Sequence, residues 1–291
     1  MLRARMISYL LAAALGAGVV MTAAPTEADA KAKVKKKKAP KKKPVKTAKL
    51  SAEQKKAREE LMGPFKWGMS KDEVIAALSK QLDERYAELI KETQDVYKQD
   101  QLRKEKAKEI KRVKKSYVAF EGQKSGWDVS IIDEQFKHGT DESMLEYWEN
   151  QGGKNQRRFF FFQGGELYKM FVQIDTTQFD PEQQTYEFFS GLMKAKFGDD
   201  AVDPEVTYAK APNGVVYVHA MDKTRFYDAF VLIVLDPGRA KHTDAVRKER
   251  IKEVKEENSI VKAIQDDGKD SPSLDSNKDA VQGVIGDKKQ K

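Results

Sequence analysis

Residues 157–175 read Arg-Arg-Phe-Phe-Phe-Phe-Gln-Gly-Gly-Glu-Leu-Tyr-Lys-Met-Phe-Val-Gln-Ile-Asp. Two apolar runs flank Gly164-Gly165, and both glycines tolerate the positive φ of a two-residue primed turn. That turn predicts a β-hairpin pairing 163 with 166, 161 with 168 and 159 with 170. In that register Phe159, Phe161, Tyr168, Met170, Val172 and Ile174 share one face, the expected core. Phe160, Phe162, Leu167 and Phe171 share the other, with Lys169 among them. A second apolar face needs a cover. The cover is a helix, another sheet or a partner protein, and in the last case these four residues are the candidate partner patch.

Towards the C-terminus, 181–197 reads as a helix, with Tyr186, Phe189, Met193 and Phe197 at three- and four-residue spacing and Gly198 past its end. Strands are expected at 205–210, 215–221 and 225–236, the first two separated by Pro212-Asn213-Gly214. Pro237-Gly238 ends the run, and a charged amphipathic helix is expected over 241–265. Residues 266–291 have the composition of a disordered tail.

Towards the N-terminus, Trp127, Val129 and Ile131 alternate with polar residues, as in a strand. Upstream, Leu82, Leu89, Val96, Ile110 and Tyr117 fall on one seven-residue register, but the companion column is mostly polar. This predicts one long charged amphipathic helix within about 70–117, or a helical hairpin bent near 98–104, rather than a dimeric coiled coil. Ser70 and Glu73 are spaced for a capping box at its start, with Met69 and Val74 placed as a hydrophobic staple. Helices segregated from antiparallel strands indicate an α+β fold over 51–265. The order suggests two helix-then-sheet halves, 65–175 and 182–236.

The first fifty residues carry an address and a charge. Arg3 and Arg5 precede an apolar run over 7–24, and Ala28-Asp29-Ala30 supplies small residues for cleavage. This is the pattern of a secretory signal peptide over 1–30. It predicts a periplasmic or secreted protein cut after Ala30, or, if uncut, one anchored in the inner membrane. Residues 31–50 form a Lys/Pro/Ala arm with eleven lysines and no acid. Residues 1–50 hold thirteen bases against two acids, which leaves 41 bases against 44 acids in the rest. All the excess positive charge therefore sits in the arm. Like-charge repulsion and two prolines keep such a segment unfolded. Lys35, Lys36, Lys37, Lys38, Lys41, Lys42 and Lys43 are the candidate contacts to an anionic envelope surface or polymer.

Chemistry is hard to place. The chain has no cysteine, which excludes disulfides, thiolate metal sites and cysteine nucleophiles. His138, His219 and His242 are the only histidines, and no pair has metal-ligand spacing. Asp275-Ser-Asn277-Lys-Asp279 starts like a calcium loop but has Ala280 and Gly286 where that loop needs glycine and glutamate. No cofactor, metal or catalytic residue is predicted. The carboxylates at Asp133/Glu134, Asp141/Glu142 and Asp199/Asp200 leave a hydrolase of envelope glycan as the alternative. Trp67, Trp127 and Trp148 could line a sugar site. A third reading, non-specific nucleic-acid binding through the arm, fits poorly with an export signal, and the arm lacks stacking aromatics.

The stretch Phe65-Lys-Trp67-Gly68-Met69-Ser70-Lys-Asp-Glu73-Val74-Ile-Ala-Ala-Leu78 resembles the start of the first helix in the SmpA/OmlA (BamE-like) outer-membrane assembly domains. In that family a Gly-Met-Ser/Thr-x-x-Glu-Val-x-x-x-Leu stretch precedes an antiparallel sheet. This chain differs in having no lipidation cysteine, a long charged helix before the sheet, and greater length. The resemblance implies a non-enzymatic envelope scaffold. The expectation is thus an exported, non-catalytic cell-envelope binding or scaffolding protein with a polycationic tether and a possible envelope-protein partner.

Overall fold

The structure is a computed structural model, and it describes residues 50–122, 125–151, 154–212 and 214–250. The chain divides into two units, 1–243 and 244–291. The first holds all the strands described below. In the second, 244–250 are helical, and the rest of the expected 241–265 helix, like the arm and the tail, lies outside the described residues.

The first unit is α+β, with helices α1 (Ala52–Met62), α2 (Lys71–Glu92), α3 (Val96–Lys115), α4 (Tyr186–Phe197) and α5 (Thr224–Tyr227). Its strands are β1 (Val118–Ala119), β2 (Glu142–Gln151), β3 (Lys154–Gln163), β4 (Glu166–Asp175), β5 (Tyr217–Asp222) and β6 (Ala229–Leu235). They form one antiparallel sheet in the order β1-β2-β3-β4-β6-β5. The two supposed halves therefore share a single sheet, because β6 returns to pair with β4. All seven residues of β6 are buried, as expected for a strand covered on both faces.

The 164–165 turn forms as read, with φ of 56° and 80° at the two glycines. The register beyond it is different. Gln163 pairs with Glu166 and Phe162 with Leu167, but Phe161 then pairs with Lys169 and Phe159 with Phe171. Tyr168 is the extra residue of a β-bulge. The bulge shifts every later residue of β4 by one, so the faces differ from the expectation. Phe160, Phe162, Leu167, Met170, Val172 and Ile174 join the core under α1–α4. Phe159, Phe161, Tyr168 and Phe171 join a second core on the opposite face.

That second core is capped mostly by non-strand segments. The alternation at 127–131 is not a strand. Residues Gly126–Val129 form a 3-10 turn closed by a Ser125/Asp128 capping box, and Asp133–Gln135 form another. Phe120, Ile131, Ile132 and Phe136 from this stretch are buried against the sheet. The 205–210 stretch is likewise a loop with a 3-10 turn at Tyr208–Lys210. The 225–236 run opens with α5 before β6 begins. Strand β2, unmarked in the sequence, supplies the neighbour of β3.

The long charged segment is a helical hairpin, and it breaks at Thr93–Asp95 rather than near 98–104. Asp95 caps α3 by accepting from the backbone amides of Tyr97 and Lys98. The α2 and α3 helices are joined by Lys106–Asp83 at 2.8 Å and Arg85–Glu109 at 2.6 Å. Tyr86 donates its hydroxyl to Glu109 at 2.8 Å. Burial and that carboxylate push the Tyr86 phenol up to about 12.

Candidate functional site

The capped start of α2 explains why residues 67–70 read Trp-Gly-Met-Ser. Ser70 and Glu73 form the expected reciprocal capping box, and the Ser70 amide and hydroxyl hold the Glu73 carboxyl below its ordinary range. Just before it, Gly68 donates to the Leu167 carbonyl at 2.9 Å and Leu167 donates to the Met69 carbonyl at 2.8 Å. This two-way exchange stitches the helix start to β4 beside the bulge. Gly68 has φ +86°, and a Cβ there would lie 2.7 Å from the Arg239 guanidinium. Glycine is thus favoured by conformation, whereas the guanidinium, at the end of a flexible side chain, could shift aside.

Arg239 pairs with Glu166 and lies 3.5 Å from Asp236. With Gln163, Tyr168, Gly238 and His242 it lines a recess of about 220 Å³. Glu166 is the one carboxylate in that lining, and Arg239 holds it. Behind the recess, buried Glu142 accepts from the Thr140 hydroxyl at 2.9 Å and the Tyr168 hydroxyl at 3.1 Å. Buried Lys169 donates to the Gln135 carbonyl and lies 4.5 Å from the centre of the Phe161 ring. These polar groups fasten the 133–142 loop to the sheet.

Three of the other candidate carboxylates are paired with basic side chains. Asp200 accepts from Arg58 at 2.6 Å, and Asp199 pairs with Lys194 at 3.2 Å. Glu134 pairs with Lys223 at 3.2 Å. Arg58 is 2 % exposed and also donates to the carbonyls of Phe197 and Val216. It places a cation at the C-terminal end of α4, where the helix dipole favours one. No group of carboxylates and histidines able to hold a metal occurs among the described residues.

The histidines are dispersed. His138 contacts Asp128 at 2.7 Å and stands edge-on to Phe120 and Phe136. His219 stacks on Tyr217, and burial pushes its imidazole below the ordinary value. Trp127 stands edge-on to Phe159 within the loop-covered core. Trp148 lies under the Arg157 guanidinium, 4.3 Å from the ring centre, and Trp67 packs on the helix-covered core.

The candidate partner patch requires correction on two counts. Phe160, Phe162, Leu167 and Phe171 are each 0 % exposed. The bulge also separates them, with Phe171 on the opposite face from the other three. The chain itself covers both faces of the hairpin. The candidate lysines 35–43 lie outside the described residues. The first described residue is Leu50, the last of the arm, next to Ser51, which caps α1.

The sequence reading missed where the exposed apolar surface would be. Among the described residues it is spread over three places: Val96 and Tyr97 at the tip of the α2–α3 hairpin, 74 % and 71 % exposed, Val129 in the 126–129 turn, 87 % exposed, and Phe226 in α5, 77 % exposed. The signal for the tip was present in Thr-Gln-Asp at 93–95, since Asp95 is a strong helix-capping type and everything beside it must then be a turn. No described helix is long and apolar enough to cross a membrane. Comparison with family models, curated proteins and solved structures finds no significant match to this chain.

Proposed function

We propose that this is an exported, non-catalytic protein of the cell envelope, which binds or scaffolds there and is tethered by its lysine arm to an anionic surface. The observation that carries the reading is the segregation of charge. Thirteen bases against two acids occupy residues 1–50, and the remainder is slightly acidic. A basic tail on a near-neutral body acts as an electrostatic tether, whereas a uniformly basic body reads as a nucleic-acid binder. The resemblance of Phe65–Leu78 to the BamE-like helix start adds to this reading, and the capped geometry fits that start.

Deleting residues 31–49 tests the tether. The expected result is release of the protein from envelope fractions, with high salt reproducing the release from the intact chain, because exposed charges are screened beyond roughly 8 Å at physiological ionic strength. Unchanged fractionation after both treatments removes the tether from the account.

A further inference from the structure

The outward side of α3 is a row of cations. Lys104, Lys108, Lys111 and Lys115 recur at intervals of four, three and four, with Arg112 beside them. That spacing aligns them on one side of a helix over about 16 Å. All five are exposed, while Leu102, Ile110 and Val113 pack inward on the opposite side. Lys104 pairs with Asp100 at 2.7 Å. Lys108, Lys111, Arg112 and Lys115 have no carboxylate partner among the described residues. The dipole at the end of α3 accounts for cations in its last turn, Arg112 and Lys115 among them. It does not account for Lys104, Lys108 and Lys111. The same side carries Tyr97, seven residues before Lys104, and the hairpin end adds exposed Val96 and Leu89.

We infer that this side of α3 docks on an anionic lipid bilayer. The lysines meet the headgroups, while Tyr97, Val96 and Leu89 enter the boundary between headgroups and acyl chains. A bare polyanion satisfies the cations but offers nothing to an exposed valine and leucine. A bilayer answers both, and tyrosine is a residue type enriched at that depth. The inference rests on the proposed envelope role and adds to it a second, folded contact independent of the arm.

The test is co-sedimentation of the exported form, from Lys31 onward, with vesicles of phosphatidylcholine with and without phosphatidylglycerol. One variant carries Lys104→Gln, Lys108→Gln, Lys111→Gln and Lys115→Gln, which keeps helix propensity close to that of lysine. A second carries Val96→Ser and Tyr97→Ser, and a third replaces the seven arm lysines 35–43 by glutamine. Circular dichroism confirms that each retains its helix content. The α3 variant is expected to bind anionic vesicles at least about tenfold more weakly, given the usual contribution of each lysine near a charged surface. This loss is expected whether the arm is intact or neutralised. The tip variant is expected to bind severalfold more weakly with the same salt dependence, since it removes no charge.

An α3 variant that binds like the parent, with loss confined to the arm variant, overturns the docking face and leaves the tether standing. Loss confined to the α3 and tip variants sinks the tether and supports the docking face. A tip variant unchanged on vesicles, together with equally strong parental binding to duplex DNA, marks the face as a general polyanion contact and overturns the bilayer assignment.

Discussion

Phe160 and Phe162 on one face of the sheet meet helices; Phe159 and Phe161 on the other meet turns. The helix side is closed by long elements whose apolar residues repeat at helical spacing, such as Val74, Leu78, Leu82 and Tyr86 on α2. The turn side is closed by single residues brought in by capping boxes and side-chain ties. The Phe120–Phe136 stack is one, with centroids 3.7 Å apart, and the bond from Lys169 to Gln135 is another. Equal burial is thus reached by two routes. A helix lid is cooperative along its length, whereas a turn lid depends on each local fastening and opens piecemeal.

The largest effect that follows is on the helix side. Phe160→Ala leaves a hole beneath Phe65, whose ring lies 4.7 Å away. It is expected to lower stability by about 3–5 kcal/mol in urea denaturation. A loss as small as that of a surface substitution breaks the claim that the helix lid is cooperative along its length.

Phe136→Ala probes the turn side. Its cost is expected to be less, about 2–3 kcal/mol, because a loop collapses into a cavity more readily than a helix does. Hydrogen exchange is the sharper readout. Amides of 120–140 should exchange faster while those of α2 and α4 keep their protection, and uniform acceleration across both lids removes the distinction.

The smallest effect is a pH slope. His219 lies on the turn side, facing Tyr217 and the more distant Asp203, and burial lowers its imidazole pKa despite the opposing pull of that carboxylate. The unfolded chain therefore binds this proton more readily than the folded one. The contribution is fully present above the ordinary histidine range, about 6.5, and is lost as pH falls towards the lower folded value. His219→Gln should flatten the acid limb of the stability curve between neutral and mildly acidic pH. An unaltered limb assigns the acid sensitivity elsewhere.

The helix lid was legible from the residues, and the turn lid was not. Helical spacing, the Ser70/Glu73 box and the glycine after Phe197 each announce an element locally. The turn lid is written in residues that alternate like a strand, and at 125–128 the Ser-x-x-Asp spacing of the observed box was the contrary signal. The bulge at Tyr168 left no mark because the run around it is apolar at nearly every position. A one-residue shift then moves one apolar residue where another stood, and no periodicity detects it. Strand β2 escaped because Glu142, Glu146 and Glu149 dilute its pattern, although the first is buried by its bonds to Thr140 and Tyr168. The candidate surfaces fared similarly. The apolar hairpin face was read correctly as needing a cover, but which residues share a face depends on the bulge. The exposed tip at Val96 and Tyr97 depends on a helix break that heptad counting passed over.

The stitch between Gly68–Met69 and Leu167 has a consequence for the order in which the molecule can assemble. Its two sides are about a hundred residues apart in the chain, and β6, which must slot between β4 and β5, is the last strand to be synthesised. Helices α1–α3 therefore emerge long before the surface they cover exists. Until β2–β4 appear, α2 and α3 have each other, through Arg85, Tyr86 and Glu109. Contacts at such separation delay closure, because a long loop must be ordered before any of them forms. The helical hairpin, local in the chain, is expected to form before the stitch at Gly68, which closes a loop of about a hundred residues.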